Sequence, residues 1–343
     1  MPDQNQEKKP RVLSGMRPTG KLHLGNYMGA LANWVKLQDS GAYECYFFIA
    51  DWHALTTDYA DTSKVLPNIE EVALDFLGAG LDPARSVIFV QSRTHQHSEL
   101  FLALSMITSL GWLERVPTYK EQIENLAGKD LTTYGFLGYP LLQAADILLY
   151  QPKFVPVGQD QVAHIELTRE VARRFNQFYK LKGPVGAEVE VLPEPQVLLT
   201  PSPKLPGTDG RKMSKSYGNT IQLTDPEPEV RKKLKTMVTD PARVRRTDPG
   251  DPDKCPVGDM HKLFSSPETL TKVYDGCRSA SIGCIECKGW AADALVRILN
   301  PIQERRAKFS PEDVNDILAG GNVRASARAE QTMQEVRQAM KLA

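Results

Sequence analysis

Apolar residues recur along the first two thirds of the chain in two alternating patterns. The run Arg11–Gly15 (RVLSG) is short, apolar and closed by glycine, which predicts a strand. Leu24, Tyr27, Met28, Leu31, Trp34 and Val35 then fall at helical spacing on one face. The stretch Tyr43–Asp51 (YECYFFIAD) is almost continuously apolar, as expected of a parallel strand buried on both sides. A helix over Leu66–Leu77, a strand over Ser86–Ser92 and a helix around Ser98–Leu110 follow. YPLLQAADILLY then reads as a helix, KFVPVG as a strand and HIELTREVARRFN as a helix. This alternation predicts an α/β fold with a Rossmann-like parallel sheet covered on both faces. Proline and glycine crowd between Gly183 and Gly210, giving turns and one strand at Val197–Thr200. Beyond Asp225 only helical patterns recur. The predicted organisation is a disordered tail over 1–10, an α/β domain over 11–222 and an all-helical C-terminal domain over 223–343.

Composition narrows little. The 343 residues carry 42 basic and 42 acidic side chains, so net charge is zero, with 24% charged and 41% hydrophobic residues. These values are ordinary for globular domains. They do not exclude a nucleic-acid partner, because local charge decides that. No apolar run approaches the roughly 18 residues of a membrane helix, and the first ten residues lack a secretory h-region. The expected compartment is the reducing cytoplasm, where structural disulfides are rare. Four of the five cysteines nevertheless crowd near the C-terminal end as Cys-x21-Cys-x6-Cys-x2-Cys: Cys255, Cys277, Cys284 and Cys287. Four thiolates suit a tetrahedral zinc or a four-iron cluster. Cys45, in an apolar run, is expected to be an inert core residue.

Two stretches carry chemistry. RPTGKLHLGNYMGAL joins the first strand to the first helix. His23, Gly25 and Asn26 open that helix, where unpaired N–H groups and the dipole favour an anion. GRKMSKSYGN places Lys212 and Lys215 on a glycine-flanked loop, able to neutralise charge on a leaving polyphosphate. Taken singly, each has a plain structural alternative: a helix-capping turn and a solvated basic loop. Together they resemble the two signatures of class I aminoacyl-tRNA synthetases, HIGH (here HLGN) and KMSKS. DWHALT (51–56), YPLLQAADILLY (139–150) and VPVGQDQVAHIELTREVARRFN (155–176) are similar to the bacterial tryptophanyl branch. The likeness covers about residues 11–179 and 205–223, and returns at RILNPIQERR.

The resemblance implies activation of tryptophan by ATP and transfer of the aminoacyl group to tRNA(Trp). It assigns ATP contacts to Arg17, Pro18, Thr19, Gly25, Asn26, Gly158, Gln159, Asp160, Val197, Lys212, Met213, Ser214, Lys215 and Ser216. Lys215, Lys212, His23 and Asn26 take the catalytic roles. Magnesium arrives on the ATP phosphates. Asp146, Tyr139, Gln143 and His53 are the expected tryptophan contacts. Asp146 is the acceptor for the indole N–H, a group that can only donate. Gln143 stands where the family often has methionine, and Tyr, Gln and Asp on one face also suit a phenol, so tyrosine is the alternative substrate. His95, His97 and His164 read as surface or core residues. A subset of these synthetases has a very similar cysteine run, one residue longer in the first gap, and binds a [4Fe-4S] cluster. The resemblance therefore implies that cluster at Cys255, Cys277, Cys284 and Cys287, with zinc the alternative.

Val230–Arg246 carries seven cationic residues against Asp240, a local charge of +6. In isolation this is a solvated helix face; after a KMSKS loop it is expected to contact the tRNA backbone. The resemblance also implies a homodimer meeting around Ser98–Glu124, and neither membrane nor DNA as partner. A regulatory RNA-binding paralogue without catalysis is a further alternative, as is an electron-transfer module, which would leave the N-terminal motifs unexplained.

Overall fold

A computed structural model describes residues 9–125, 130–183, 186–200 and 205–343, so the expected tail lies almost wholly outside the described residues. The strands are β1 (Arg11–Met16), β2 (Glu44–Ile49), β3 (Ser86–Val90), β4 (Phe154–Val157), β5 (Leu181–Lys182), β6 (Glu188–Val189) and β7 (Gln196–Leu199). β5 and β6 form a small antiparallel pair. The other five make one sheet in the order β3-β2-β1-β4-β7, with every pairing parallel. The chain steps from β1 to one side, then returns to place β4 on the other. The crevice beyond the C-terminal ends of β1 and β4 is therefore the switch point at which such sheets bind ligands.

The patterned segments adopt the expected states, with shifted ends. The Leu66–Leu77 helix is Val65–Ala79, closed by Gly80 at φ 114°, a left-handed conformation glycine accepts without strain. The helix expected around Ser98–Leu110 is Gln96–Ser105, and a separate short helix, Leu110–Glu114, follows. The break falls at Thr108 and Ser109. Their hydroxyls compete with helical backbone bonds, and the Thr108 hydroxyl donates to the Leu104 carbonyl at 2.9 Å. The first helical stretch, 24–39, widens into a π-turn over Tyr27–Leu31. Such turns often mark functional sites, and Gly29 and Ala30 of this one border a cavity.

Two apolar clusters flank the sheet. One stacks Trp34 on Phe47, with ring centroids 4.8 Å apart. The other gathers Tyr46, Phe89 and Tyr150. Each cluster includes residues from both sides of residue 222: Leu234, Val257, Leu295 and Leu299 in the first, Ala325, Ala329 and Met333 in the second. Cys45 is buried in the first, where burial pushes its thiol up to about 11. From Glu227–Thr236 to Pro311–Ala339 every regular element is a helix, with an irregular stretch over 237–255. Pro311–Ala339 lies along β3, an edge strand whose open backbone would otherwise invite foreign pairing. Asn322 closes that edge, accepting from Val90 N at 3.1 Å and donating to Val90 O at 2.8 Å. Gly321 permits the approach, because a Cβ there would sit 1.7 Å from the Ile88 carbonyl oxygen.

Candidate active site

Two cavities meet at the switch point. The first, about 420 Å³, is bordered by Gly15, Phe48, Ile147 and Val155 and by the polar side chains of His53, Tyr139, Gln143, Asp146, Gln161 and His164. The second, about 820 Å³, is bordered by Arg17, Pro18, Thr19, His23, Asn26, Lys64, Ser214, Lys215 and Ser216. Arg17 borders both.

His23 caps the helix that opens at Leu24. Its Nδ1 accepts from Gly25 N at 3.0 Å, and Asn26 Oδ1 accepts from His23 N at 3.1 Å. Burial, then the nearby Lys215, lowers the His23 pKa to about 4. A neutral ring whose Nδ1 accepts must carry its proton on Nε2. His23 is therefore a neutral donor on the wall of the larger cavity. Gly25 leaves no room for a side chain, since a Cβ would lie 2.8 Å from the His23 ring.

The KMSKS segment is pinned to this turn. Leu24 N donates to Ile221 O and Leu223 N to Leu22 O, both at 2.9 Å. Asn219, buried, accepts from Ser214 N at 2.8 Å and donates to Asp209 at 2.7 Å. Lys215 Nζ spans the gap, donating to the carbonyls of Thr19 at 3.1 Å and Gly20 at 2.9 Å. Burial lowers the Lys215 pKa to about 8, while Asp75 pulls it back up.

Asp146 is the hub of the smaller cavity. It is 1% exposed and receives three side chains: His53 Nε2 at 2.9 Å, His97 Nδ1 at 2.7 Å and Gln91 Nε2 at 2.8 Å. Burial pushes the carboxyl up, but the bonds from His53 and His97 more than cancel that and leave it below its usual value. His97 Nε2 lies 2.9 Å from the Tyr150 hydroxyl. His164 Nε2 meets Thr118 Oγ1 at 2.6 Å, and the same hydroxyl lies 2.9 Å from the Tyr139 hydroxyl. Burial, then His53, lowers the His164 pKa to about 4, and its buried Nδ1 has no partner among the described residues. Arg17 donates to the Thr57 hydroxyl at 2.5 Å, while its buried Nε also lacks a partner there.

The expected contacts are thus placed unevenly. His53, Tyr139, Gln143, Asp146 and Gly158 border the smaller cavity, and Arg17, Pro18, Thr19, His23, Asn26, Ser214, Lys215 and Ser216 the larger. Gly25, Lys212, Met213, Gln159, Asp160 and Val197 border neither cavity. Met213 is turned inward, buried in the apolar cluster with Ile221 and Leu223. Lys212 is exposed. Gln159 and Val197 face a separate surface groove; Asp160 is exposed. Sequence reasoning missed Gln91, His97, Gln161 and His164. His97 sits two residues from exposed His95 and was read with it, although the apolar Phe89 and Tyr150 around it were themselves legible.

The cysteines stand at three helix starts and ends. Cys255 caps Pro256–Phe264, Cys277 lies near the end of Pro267–Arg278, and Cys284 and Cys287 open the helix Cys284–Arg306. All are free thiols. Burial, then Cys255, Cys277 and Cys284, pushes Cys287 up to about 12. Arg243 Nη1 lies 3.7 Å from Cys277 Sγ, and a Cβ on Gly250 would sit 2.8 Å from the same sulfur. Among the described residues, no three His, Cys, Asp or Glu side chains are gathered tightly enough to hold a single metal ion. Arg243 also donates to the carbonyls of Arg246 and Ile282, and Lys233 and Arg231 are held by Asp225 and Asp293. The basic run is therefore less free than its charge implied: Lys235, Arg245 and Arg246 are its open members.

Residues 4–300 match the family described as tRNA synthetases class I (W and Y). The chain is 54% identical to a tryptophan–tRNA ligase of Thermotoga maritima, over 97% of this chain and 99% of that one. It is 49% identical to a tryptophan–tRNA ligase of Ralstonia nicotianae, over 97% and 98%. The solved tryptophanyl-tRNA synthetase of Campylobacter jejuni, complexed with ADP and tryptophan, superposes with a TM-score of 0.84 at 32% identity. That match covers 96% of this chain and 99% of the other.

Proposed function

The chain belongs to the class I tRNA synthetases of the tryptophan and tyrosine branch, and from that membership we infer that it is a ligase that activates L-tryptophan with ATP and transfers it to tRNA(Trp). The observation that carries the chemistry is the pair of cavities joined at Arg17. The smaller offers apolar walls for an indole and polar groups at one end; the larger is bordered by both signature segments.

In this reading tryptophan binds in the smaller cavity and ATP, with its magnesium, in the larger. A tryptophan carboxylate oxygen attacks the α-phosphorus, the O–P bond forms, and the bond to the pyrophosphate oxygen breaks. No protein nucleophile is needed; the protein supplies position and charge. Arg17, with an unsatisfied Nε between the cavities, is placed to hold the carboxylate against the α-phosphate. His23 offers a neutral N–H to the phosphates. Lys215 exchanges its carbonyl partners on Thr19 and Gly20 for the phosphate oxygens, and its charge offsets that on the leaving pyrophosphate. Lys212, Ser214 and Ser216 follow it as the loop closes. Gln91 Nε2 spans both Asp146 oxygens at 2.8 Å, so settling on one of them frees a lone-pair site of the roughly four for the indole N–H. His164 presents its unpartnered ring nitrogen to the same ligand. Gln143 kept tyrosine open, but the relatives at 49% and 54% identity are named as tryptophan ligases. The test is exchange of labelled pyrophosphate into ATP: it should depend on tryptophan and not on tyrosine. Exchange with tyrosine alone would reverse the substrate, and exchange with neither would sink the enzyme reading.

We further infer that Cys255, Cys277, Cys284 and Cys287 hold a [4Fe-4S] cluster rather than zinc. Cys287 feels the charges of Cys255, Cys277 and Cys284, and the cationic Arg243 lies 3.7 Å from Cys277 Sγ; this surrounding and the cysteine spacing support a thiolate-bound group. When bound, the cluster would act as a structural staple of the tRNA-binding part. Anaerobically purified protein should be brown and hold about four irons and four acid-labile sulfides per chain. Colourless protein with stoichiometric zinc would overturn this. We also propose a Rossmann-like catalytic part over 11–222 and a helical anticodon-binding part with the cysteine cluster over 223–343, with Lys235, Arg245 and Arg246 offered to the RNA backbone. A homodimer is supported by the exposed apolar side chains of Leu102, Met106 and Leu110 within the expected interface. No helix among the described residues is long and apolar enough to cross a membrane, and the cytoplasm, where tRNA is charged, is the proposed compartment.

A further inference from the structure

The helix Cys284–Arg306 is 23 residues long, about 34 Å at 1.5 Å per residue. Its first turn carries Cys284 and Cys287. Its last turn packs on the helix Val65–Ala79 and on the chain that follows the KMSKS segment. There Arg306 Nη1 donates to Asp75 Oδ1 at 2.5 Å, and Nη2 to Glu71 Oε2 at 2.6 Å. Arg305 Nε donates to Gly78 O at 2.7 Å, and Gln303 Nε2 to the carbonyls of Leu223 and Asp225, both at 2.9 Å. The contact is close: a Cβ on Gly78 would lie 2.9 Å from Ile302 O.

Asp75 is fully buried on the helix Val65–Ala79, and its second oxygen, Oδ2, accepts the Leu22 N–H at 2.9 Å. Leu22 is the residue before His23, and its own carbonyl accepts from Leu223 N. One buried carboxylate thus fixes the strand of backbone on which the HLGN and KMSKS segments meet, and one guanidinium fastens that carboxylate to the cysteine-bearing helix. Neither side chain borders either cavity. A buried ion pair is a poor stabiliser compared with apolar residues of similar size, so stability alone is a weak account of it.

We propose that Asp75 and Arg306 are a positioning pair for amino-acid activation: they set the Leu22–His23 backbone and couple it to the helix that begins at the cysteines. Burial raises the Asp75 carboxyl to about 6, with Arg306 opposing, so the guanidinium keeps the carboxylate charged at neutral pH. The inference rests on the activation reaction proposed above. A parent protein inactive in exchange would sink that reading, whereas variants as fast as an active parent sink only this one.

The decisive comparison is between two charge-free double variants of the full chain. Asp75→Leu with Arg306→Leu removes the ion pair and the acceptor for Leu22. Asp75→Asn with Arg306→Leu removes the charges but keeps that acceptor. At matching Tm, the first should lose kcat for tryptophan-dependent exchange at least tenfold, with KM for ATP and tryptophan unchanged. The second, which keeps the acceptor for Leu22 but loses the tie to the cysteine-bearing helix, should fall by about threefold to fivefold. Equal kcat in the two overturns the proposal, because a structural role would follow Tm alone. Should the leucine pair fail to fold, Arg306→Lys decides: it keeps the charge but cannot bridge Asp75 and Glu71 together. A kcat reduced threefold or more with both KM values unchanged supports the pair, and an unchanged kcat overturns it.

Discussion

Lys215→Ala should lower kcat for tryptophan-dependent pyrophosphate exchange by about 100- to 1,000-fold, the usual cost of removing one preorganised charge stabiliser from a transition state. The reason lies in its placement. Lys215 borders the larger cavity, yet its ammonium rests on backbone carbonyls of Thr19 and Gly20, and no carboxylate among the described residues is bonded to it. Carbonyl partners are surrendered more easily to a phosphate than a salt bridge would be. KM for tryptophan should change little, since Lys215 does not border the smaller cavity. Lys212→Ala should cost less, because Lys212 is exposed and borders neither cavity. The pH dependence has a defined sign. The ammonium is the active form, and burial lowers its pKa to about 8, so kcat/KM should fall as pH rises through about 8. Bound phosphates favour the charged form, so kcat itself should hold to higher pH. A Lys215→Ala variant within fivefold of the parent would remove Lys215 from the chemistry.

The strand–helix alternation was legible because parallel strands buried on both faces leave continuous apolar runs, such as the stretch that became β2. The signature segments were equally legible, since HLGN and KMSKS are contiguous. What escaped was assembled from distance. Gln91, His97 and Asp146 lie on three different elements, and nothing in their spacing says that they meet. Asp75 and Arg306 are 231 residues apart. Asp75 reads in sequence as one polar residue in the apolar LDFLGA run, and only the fold shows that its carboxylate holds Leu22. The basic run misled for the opposite reason. Charge density is a sum over residues, and it cannot show that Arg243 is spent inside the protein on Arg246, Ile282 and Cys277.

Asp146→Ala should raise KM for tryptophan at least 100-fold and destabilise the fold by about 2–4 kcal/mol, because it strands several buried donors at once. His53, His97 and Gln91 all converge on this carboxylate, and an unpaired buried donor costs more than a hydrogen bond contributes. Asp146→Asn keeps the volume but offers one acceptor oxygen and brings two donors of its own. It cannot satisfy three donors and an indole together, so it too should lose tryptophan affinity, by about tenfold or more. The acid limb of stability separates the charge from the shape. The folded Asp146 pKa is depressed. Its contribution is therefore present above the ordinary carboxylate value of about 3.9, and is lost as pH falls through the lower folded value. Denaturant titrations from pH 7 down to pH 3 should show the parent losing this contribution at the acid end, while Asp146→Asn declines less steeply there. If Asp146→Asn bound tryptophan as tightly as the parent, the indole N–H would have to be met elsewhere. His164, which borders the same cavity and whose buried Nδ1 has no partner among the described residues, would then be the acceptor to examine. The two residues differ in a way that makes the outcome readable: at neutral pH Asp146 presents a full negative charge and His164 a neutral ring. A charge-assisted bond is about twice as strong as a neutral one, so a loss confined to Asp146 variants identifies the carboxylate as the indole partner.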